Sequence, residues 1–402
     1  MVMKAVRATA PFLGVLFLGA LSACGSVLVP TDDAASTAGA TSVGGADGAG
    51  GGGADGASTG TGGTVTTGPT CEGPLCTAPE RIVKIAEGNP RCAVRASGKA
   101  ICWGLAFFSD DHSPDAPPWE QAGLDDAISA AGLMEHMCFL LGSGQVACEG
   151  NSHHAQLGLA VPVNTTSASP VVLPELANVV QLSSGHHHVC AVLAGGQAVC
   201  WGGPYSPSLG DPDVYETQAP IPVVGIADAA QISATMEHTC AVRTSGQVMC
   251  WGWNHSGELG DGGKSEQDTP VAVVGIPAAA EVASGWSHTC ARTASGHVWC
   301  WGDIGLTPGA ASTTTPFEIP DLDDAIQLSA GYGRSCALRA NGDIVCWGSH
   351  PYIGSGDGTR KTIPVHGAVH VASGAKDSCA ALANGDVSCW VDQETTLVEG
   401  LY

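Results

Sequence analysis

Two short runs of alternating apolar and polar residues, joined by a glycine turn, recur seven times between residue 80 and the C-terminus. The fullest copy reads His238-Thr239-Cys240-Ala241-Val242, then Ser245-Gly246, then Val248-Met249-Cys250-Trp251-Gly252. Alternation with period two predicts strands, and a Ser-Gly, Asn-Gly or Gly-Gly pair between them predicts a hairpin. Gly98, Gly144, Gly196, Gly246, Gly296, Gly342 and Gly385 each lie six residues after the first cysteine of a copy. Those cysteines recur every 43 to 52 residues. That period belongs to propellers and similar arrays.

Within a copy the alternation sorts side chains onto two faces. The cysteines share one with Val192, Val242, Leu338, Val248, Val298 and Ile344, while the other carries an alanine after the first cysteine and a tryptophan after the second. Two apolar faces predict a sheet covered on both sides. The expected packing sets the tryptophan of one copy against the alanine row of its neighbour. Copy two departs, with Phe139 for the alanine and Glu149 for the tryptophan. This reads as a volume swap that leaves a charge near the rim.

Seventeen cysteines exceed what a reducing compartment tolerates without a metal role. Fourteen form pairs ten positions apart: Cys92 with Cys102, Cys138 with Cys148, Cys190 with Cys200, Cys240 with Cys250, Cys290 with Cys300, Cys336 with Cys346, and Cys379 with Cys389. In a hairpin these partners face each other at disulfide distance. Zinc ligands stand closer in sequence, two to four residues apart, so disulfides are expected and no metal. Cys71 and Cys76 bracket a small loop of their own, with pairing elsewhere as the alternative. A cysteine nucleophile is then excluded, since the thiols are engaged.

The N-terminus differs from the repeats. Lys4 and Arg7 precede an apolar run from Pro11 to Leu21, which is too short to span a bilayer and reads as a signal segment. Leu21-Ser22-Ala23-Cys24 resembles a bacterial lipobox, which implies that Cys24 carries lipid and becomes the new N-terminus. Residues 25–70 are Gly, Ala, Ser, Thr and Asp with little to bury, so a disordered tether of roughly 35–40 Å is expected. The chain divides into a leader over 1–23, a lipidated tether over 24–70, a cysteine loop over 71–79 and the repeats over 80–402. Loss of Lys4 and Arg7 with the leader takes the formal charge from −23 to −25. With no basic run after residue 24, nucleic acid is excluded as a partner, and the membrane is met through the lipid alone.

The repeat motif is Gly-x-x-His-x-Cys-Ala, Ser-Gly-x-Val, Cys-Trp-Gly-x-Asn and Leu-Gly, fullest in His238-Thr239-Cys240-Ala241, Gly246, Cys250-Trp251-Gly252-Trp253-Asn254 and Gly257-Glu258-Leu259-Gly260. It resembles the regulator of chromosome condensation repeat family over residues 80–402, in a secreted, disulfide-containing bacterial form. The resemblance implies an all-β, seven-bladed propeller of four-stranded blades. Such a ring must close, and Thr396–Leu401 is expected to pair with the blade that begins near Arg81. The family's nucleotide-exchange activity is not implied, because its inserted elements have no match in this chain.

Candidate chemistry is sparse. His136, His188, His238 and His288 sit two residues before the first cysteine and are expected to bond backbone within their own blade. His153-His154 and His186-His187-His188 are denser but are read without a metal. Adjacent acids such as Asp110-Asp111, Asp125-Asp126 and Asp323-Asp324 read as solvated turns. The better lead is the variable set just before each first cysteine: Asn89, Met134, Glu135, His186, His187, Met236, Glu237, Trp286, Tyr332 and Lys376. These are predicted to gather at one end of the channel as a binding face. The reading is a monomeric, cofactor-free interaction module, not an enzyme, on the bacterial cell envelope. It recognises an extracytoplasmic protein or glycan, and the acidic surface favours a basic partner. A channel hydrolase or lyase, and a structural envelope lipoprotein, are the alternatives.

Overall fold

The computed structural model describes residues 81–86, 90–104, 117–203, 207–305, 312–348, 360–374, 377–391, 394–399 and 401. The expectations for the leader, Cys24, the tether, the Cys71–Cys76 loop, Asn89 and Lys376 lie outside these residues.

The described chain forms seven four-stranded antiparallel sheets, each made of four consecutive strands, with no helix among the described residues. The first strands are Ile82–Ala86, Ala127–Leu133, Val179–Ser184, Ala229–Ala234, Ala279–Ser284, Ala325–Ala330 and Ala368–Ser373. Each touches the first strand of the next blade, and the last touches the first, so the ring closes around a central channel. This is the seven-bladed propeller expected from the repeats.

The predicted hairpins are the second and third strands of each blade. Cysteine partners sit directly opposite one another, as in Cys240 with Cys250, and all seven pairs are bonded with Cα atoms 4.0–4.1 Å apart.

Seven apolar clusters each join the cysteine face of one blade to the alanine-tryptophan face of the next. One contains Cys190, Val192 and Cys200 of blade three with Ala241 and Trp251 of blade four. The same arrangement ends with Cys379, Val387 and Cys389 of blade seven against Ala93 and Trp103 of blade one. The expected packing is therefore corrected. Alanine and tryptophan share a face, so the tryptophan lies beside its own alanine and against the neighbour's disulfide. The small alanine makes room for the indole.

A loop from the preceding blade caps Trp201, Trp251 and Trp301. Trp301 Nε1 donates to Glu258 O at 2.6 Å and Trp251 Nε1 to Ser208 O at 2.7 Å. Gly260 sits over the Trp301 indole, where a Cβ would lie 2.8 Å from Nε1, and its φ is +64°. Only glycine meets both conditions without strain.

Copy two carries a second correction. Phe139 is fully buried against blade one, and Glu149 is 4% exposed rather than on the rim. Gln121 of blade one donates to Glu149 Oε2 at 2.7 Å. Burial pushes the Glu149 carboxyl up to about 8. It is an acid inside a blade interface, held mostly protonated at neutral pH.

The C-terminal expectation is half right. Glu394–Leu397 pairs with Val387–Val391 as the outer strand of blade seven, not with blade one. The last residues of the chain close the ring instead. Leu401 is buried among Ile82, Ile85 and Trp103, and Arg95 Nη2 donates to Leu401 O at 2.8 Å. Blade one already has four strands of its own and offers no open ladder.

Candidate functional site

The channel wall is built from first strands that lie side by side without a continuous backbone ladder between blades. Side chains supply the missing bonds. Gln231 Nε2 donates to Val282 O at 2.9 Å, and Val282 N donates back to Gln231 Oε1 at 2.9 Å. Gln181 holds Ile232 in the same two-way grip, and Gln327 holds Val371. Glu281 takes this place in blade five, accepting from Leu328 N at 3.2 Å and from Arg292 Nε at 2.9 Å. Its carboxyl is raised by burial, against the opposing pull of Arg292. Ser183, Ser233 and Ser329 form a second rung, each accepting a backbone N–H of the next blade at 2.8–3.0 Å.

The histidine row lies outside this wall, at the start of the second strands. His136, His188, His238 and His288 are all buried. They do not bond backbone within their own blade, as the sequence led us to expect. His188 Nε2 meets Thr239 Oγ1 at 2.8 Å, and His238 Nε2 meets Thr289 Oγ1 at 2.9 Å. His136 reaches Ser184 at 2.6 Å and His288 reaches Ser335 at 2.7 Å. Every partner belongs to the following blade. Thr289 Oγ1 donates to Glu258 O at 2.9 Å, so it accepts from His238, which assigns the proton to Nε2. Burial holds His136, His188 and His238 down at about 3 and His288 at about 4. At the closing interface Asp377 stands in the histidine position and pairs with Arg91, which stands in the threonine position.

The rungs also line a cavity of about 260 Å³ within the channel, where Gln181, Ser183, Gln231 and Ser233 stand among small residues such as Ala131, Ala234 and Ala283. Met134, Met236, Trp286 and Tyr332, from four blades, line its mouth. The Trp286 and Tyr332 rings have centroids 3.4 Å apart and are tilted by 48°. Met134 has a φ of 61°, in the left-handed region that costs a non-glycine residue strain.

Around the mouth stand Glu135, Glu237, His186 and His187, outside the cavity lining. His187 lies between His186 and His154, at centroid distances of 3.7 and 4.3 Å. Burial, then the neighbouring imidazoles His186, His154 and His136, hold His187 at about 3. Burial, then Glu266 and Glu258, push Glu237 up to about 7. Among the described residues no three His, Cys, Asp or Glu side chains are arranged to hold a metal ion. The structure thus brings together four of the predicted face residues and sets four more beside them.

The sequence reading missed the glutamine and serine rungs. Their signal was present: Ser129, Gln181, Gln231, Glu281, Gln327 and His370 all stand nine residues before a first cysteine.

With the blades and channel placed, the likeness to known proteins has a structural frame. Models of the regulator of chromosome condensation (RCC1) repeat match residues 229–258, 245–292 and 325–352, which fall in blades four to six. Residues 229–292 and 325–352 carry RCC1 repeats. The propeller is similar to human WBSCR16, with a TM-score of 0.66 at 20% identity, over 75% of this chain and 86% of that one. It is also similar to Prp20p from Saccharomyces cerevisiae, with a TM-score of 0.63 at 18% identity, over 74% of this chain and 81% of that one. At such identities the likeness fixes the RCC1-type fold and nothing finer. No curated protein sequence matches the chain.

Proposed function

We propose that this RCC1-repeat propeller is a cell-envelope interaction module that binds a partner protein through the channel mouth. The gathering of Met134, Met236, Trp286 and Tyr332 around one cavity carries the reading. Flexible thioethers and aromatic rings are over-represented in binding surfaces. The buried imidazoles and glutamines of the channel are bonded between blades, which supports binding over catalysis. Prp20p is described as having binding properties to Gsp1p and histones, and Kap60 is bound to yeast RCC1. A protein partner extends that precedent of the fold.

The envelope location rests on two supports. Seven intrachain disulfides belong in an oxidising compartment. The lipobox-like Leu21-Ser22-Ala23-Cys24 then supplies a lipid anchor, and residues 25–70 a tether. Metabolic labelling with a palmitate analogue tests the anchor: Cys24→Ser should abolish incorporation.

Affinity capture from solubilised envelope tests the mouth. Full-length protein should retain a partner that the double variant Trp286→Ala, Tyr332→Ala loses. Equal capture by both would remove the mouth from the binding surface.

A further inference from the structure

The charges at the mouth are unevenly placed. Glu135 directly follows Met134, and Glu237 directly follows Met236. Glu216 and Glu266 stand near enough to act on His154 and Glu237 respectively. The described basic residues at this end are Arg91 and Arg334, of blades one and six, and Lys264 in the outer loop of blade four; Arg91 is paired with Asp377, and Lys264 Nζ donates to Ser312 Oγ of blade five at 2.7 Å. Lys84 lies further along the first strand of blade one, before the Ala86 that lines the cavity. Burial lowers His154, His186 and His187, so these imidazoles carry little charge at neutral pH. Around the channel, the sector from blade two to blade five therefore presents Glu135, a Glu237 that is about half ionised at neutral pH, neutral rings and thioethers.

We propose that the mouth recognises a cationic side chain, a lysine or arginine on a basic segment of the partner protein, seated on the Trp286–Tyr332 pair and faced by Glu237 and Glu135. The inference rests on the mouth being the binding surface. An ammonium or guanidinium group is drawn to the negative face of an aromatic ring within about 6 Å. Two tilted rings offer two such faces, and Glu135, with Glu237 ionising as the cation seats beside it, balances the remaining charge. The long aliphatic stem of lysine or arginine then packs on Met134 and Met236. The formal charge of −23 draws basic segments toward this surface from a distance.

Fluorescence anisotropy on the full-length protein in mild detergent tests this with three labelled probes: a nonalysine peptide, a nonaglutamate peptide and the neutral sugar chitohexaose. Nonalysine should bind, and the other two should not. Its affinity should fall more than about tenfold between 50 and 500 mM salt. The Trp286→Ala, Tyr332→Ala variant should bind it about tenfold more weakly. Glu237→Gln should weaken it as well, with an unchanged melting temperature showing that the fold is intact. Absent nonalysine binding, equal binding by the aromatic variant, or a preference for chitohexaose would each overturn the inference. If nonalysine fails while the aromatic variant still loses the envelope partner, the mouth remains the binding surface and only the cationic ligand is wrong. If the variant retains that partner too, both fall.

Discussion

Glu149 makes the sharpest test of the blade packing, because it stands where the six other blades bury a tryptophan. Its carboxyl is pushed from an ordinary value of 4.5 to about 8 by burial. The folded chain therefore holds a proton between these values that the unfolded chain has released. Stability must fall as pH rises through that window, by about 1.4 kcal/mol per pH unit. At pH 7 the penalty is roughly 3 kcal/mol, and at pH 8 roughly 5 kcal/mol as an upper bound. Glu149→Gln keeps the shape and the acceptor for Gln121 but cannot ionise. Thermal unfolding of both proteins from pH 4.5 to 9 should show near-equal stability at the acid end. Above pH 7 the variant should melt several degrees higher, at roughly 2–4 °C per kcal/mol. Comparison at each pH cancels every other titrating group. A difference that stays flat with pH, or a variant less stable at pH 8, would refute the buried-acid reading.

The histidine row gives the opposite slope. His136, His188 and His238 at about 3 and His288 at about 4 stay neutral when folded, while the unfolded chain takes up protons below about 6.5. Stability should drop as pH falls from 6.5 toward 4, and His238→Gln should flatten denaturant midpoints across that range. Gln231→Ala removes both bonds to Val282 and should cost about 1–3 kcal/mol in chemical denaturation, with the seven disulfides retained. Deleting residues 398–402 removes Leu401 from its pocket and the bond from Arg95, and should cost roughly 2–4 kcal/mol. An unchanged melting temperature for that truncation would show that the ring closes by other contacts.

The sequence by itself determined the hairpins, the disulfide pairing and the number of blades. These depend on contacts within about a dozen residues, so Cys240, Gly246 and Cys250 announce each other directly, and repetition multiplies the signal seven times. It also marked Met134, Met236, Trp286 and Tyr332, because a variable position in a regular repeat stands out. The tertiary structure decided what meets across blades, where partners lie some fifty residues apart and nothing local links them. His238 reaches Thr289 rather than its own backbone, Gln231 grips Val282, and Trp251 packs against the Cys190–Cys200 bond. The same distance hid the state of Glu149. A carboxylate in sequence is charged by default, and only the closing of blade two onto blade one removes the water that would keep it so.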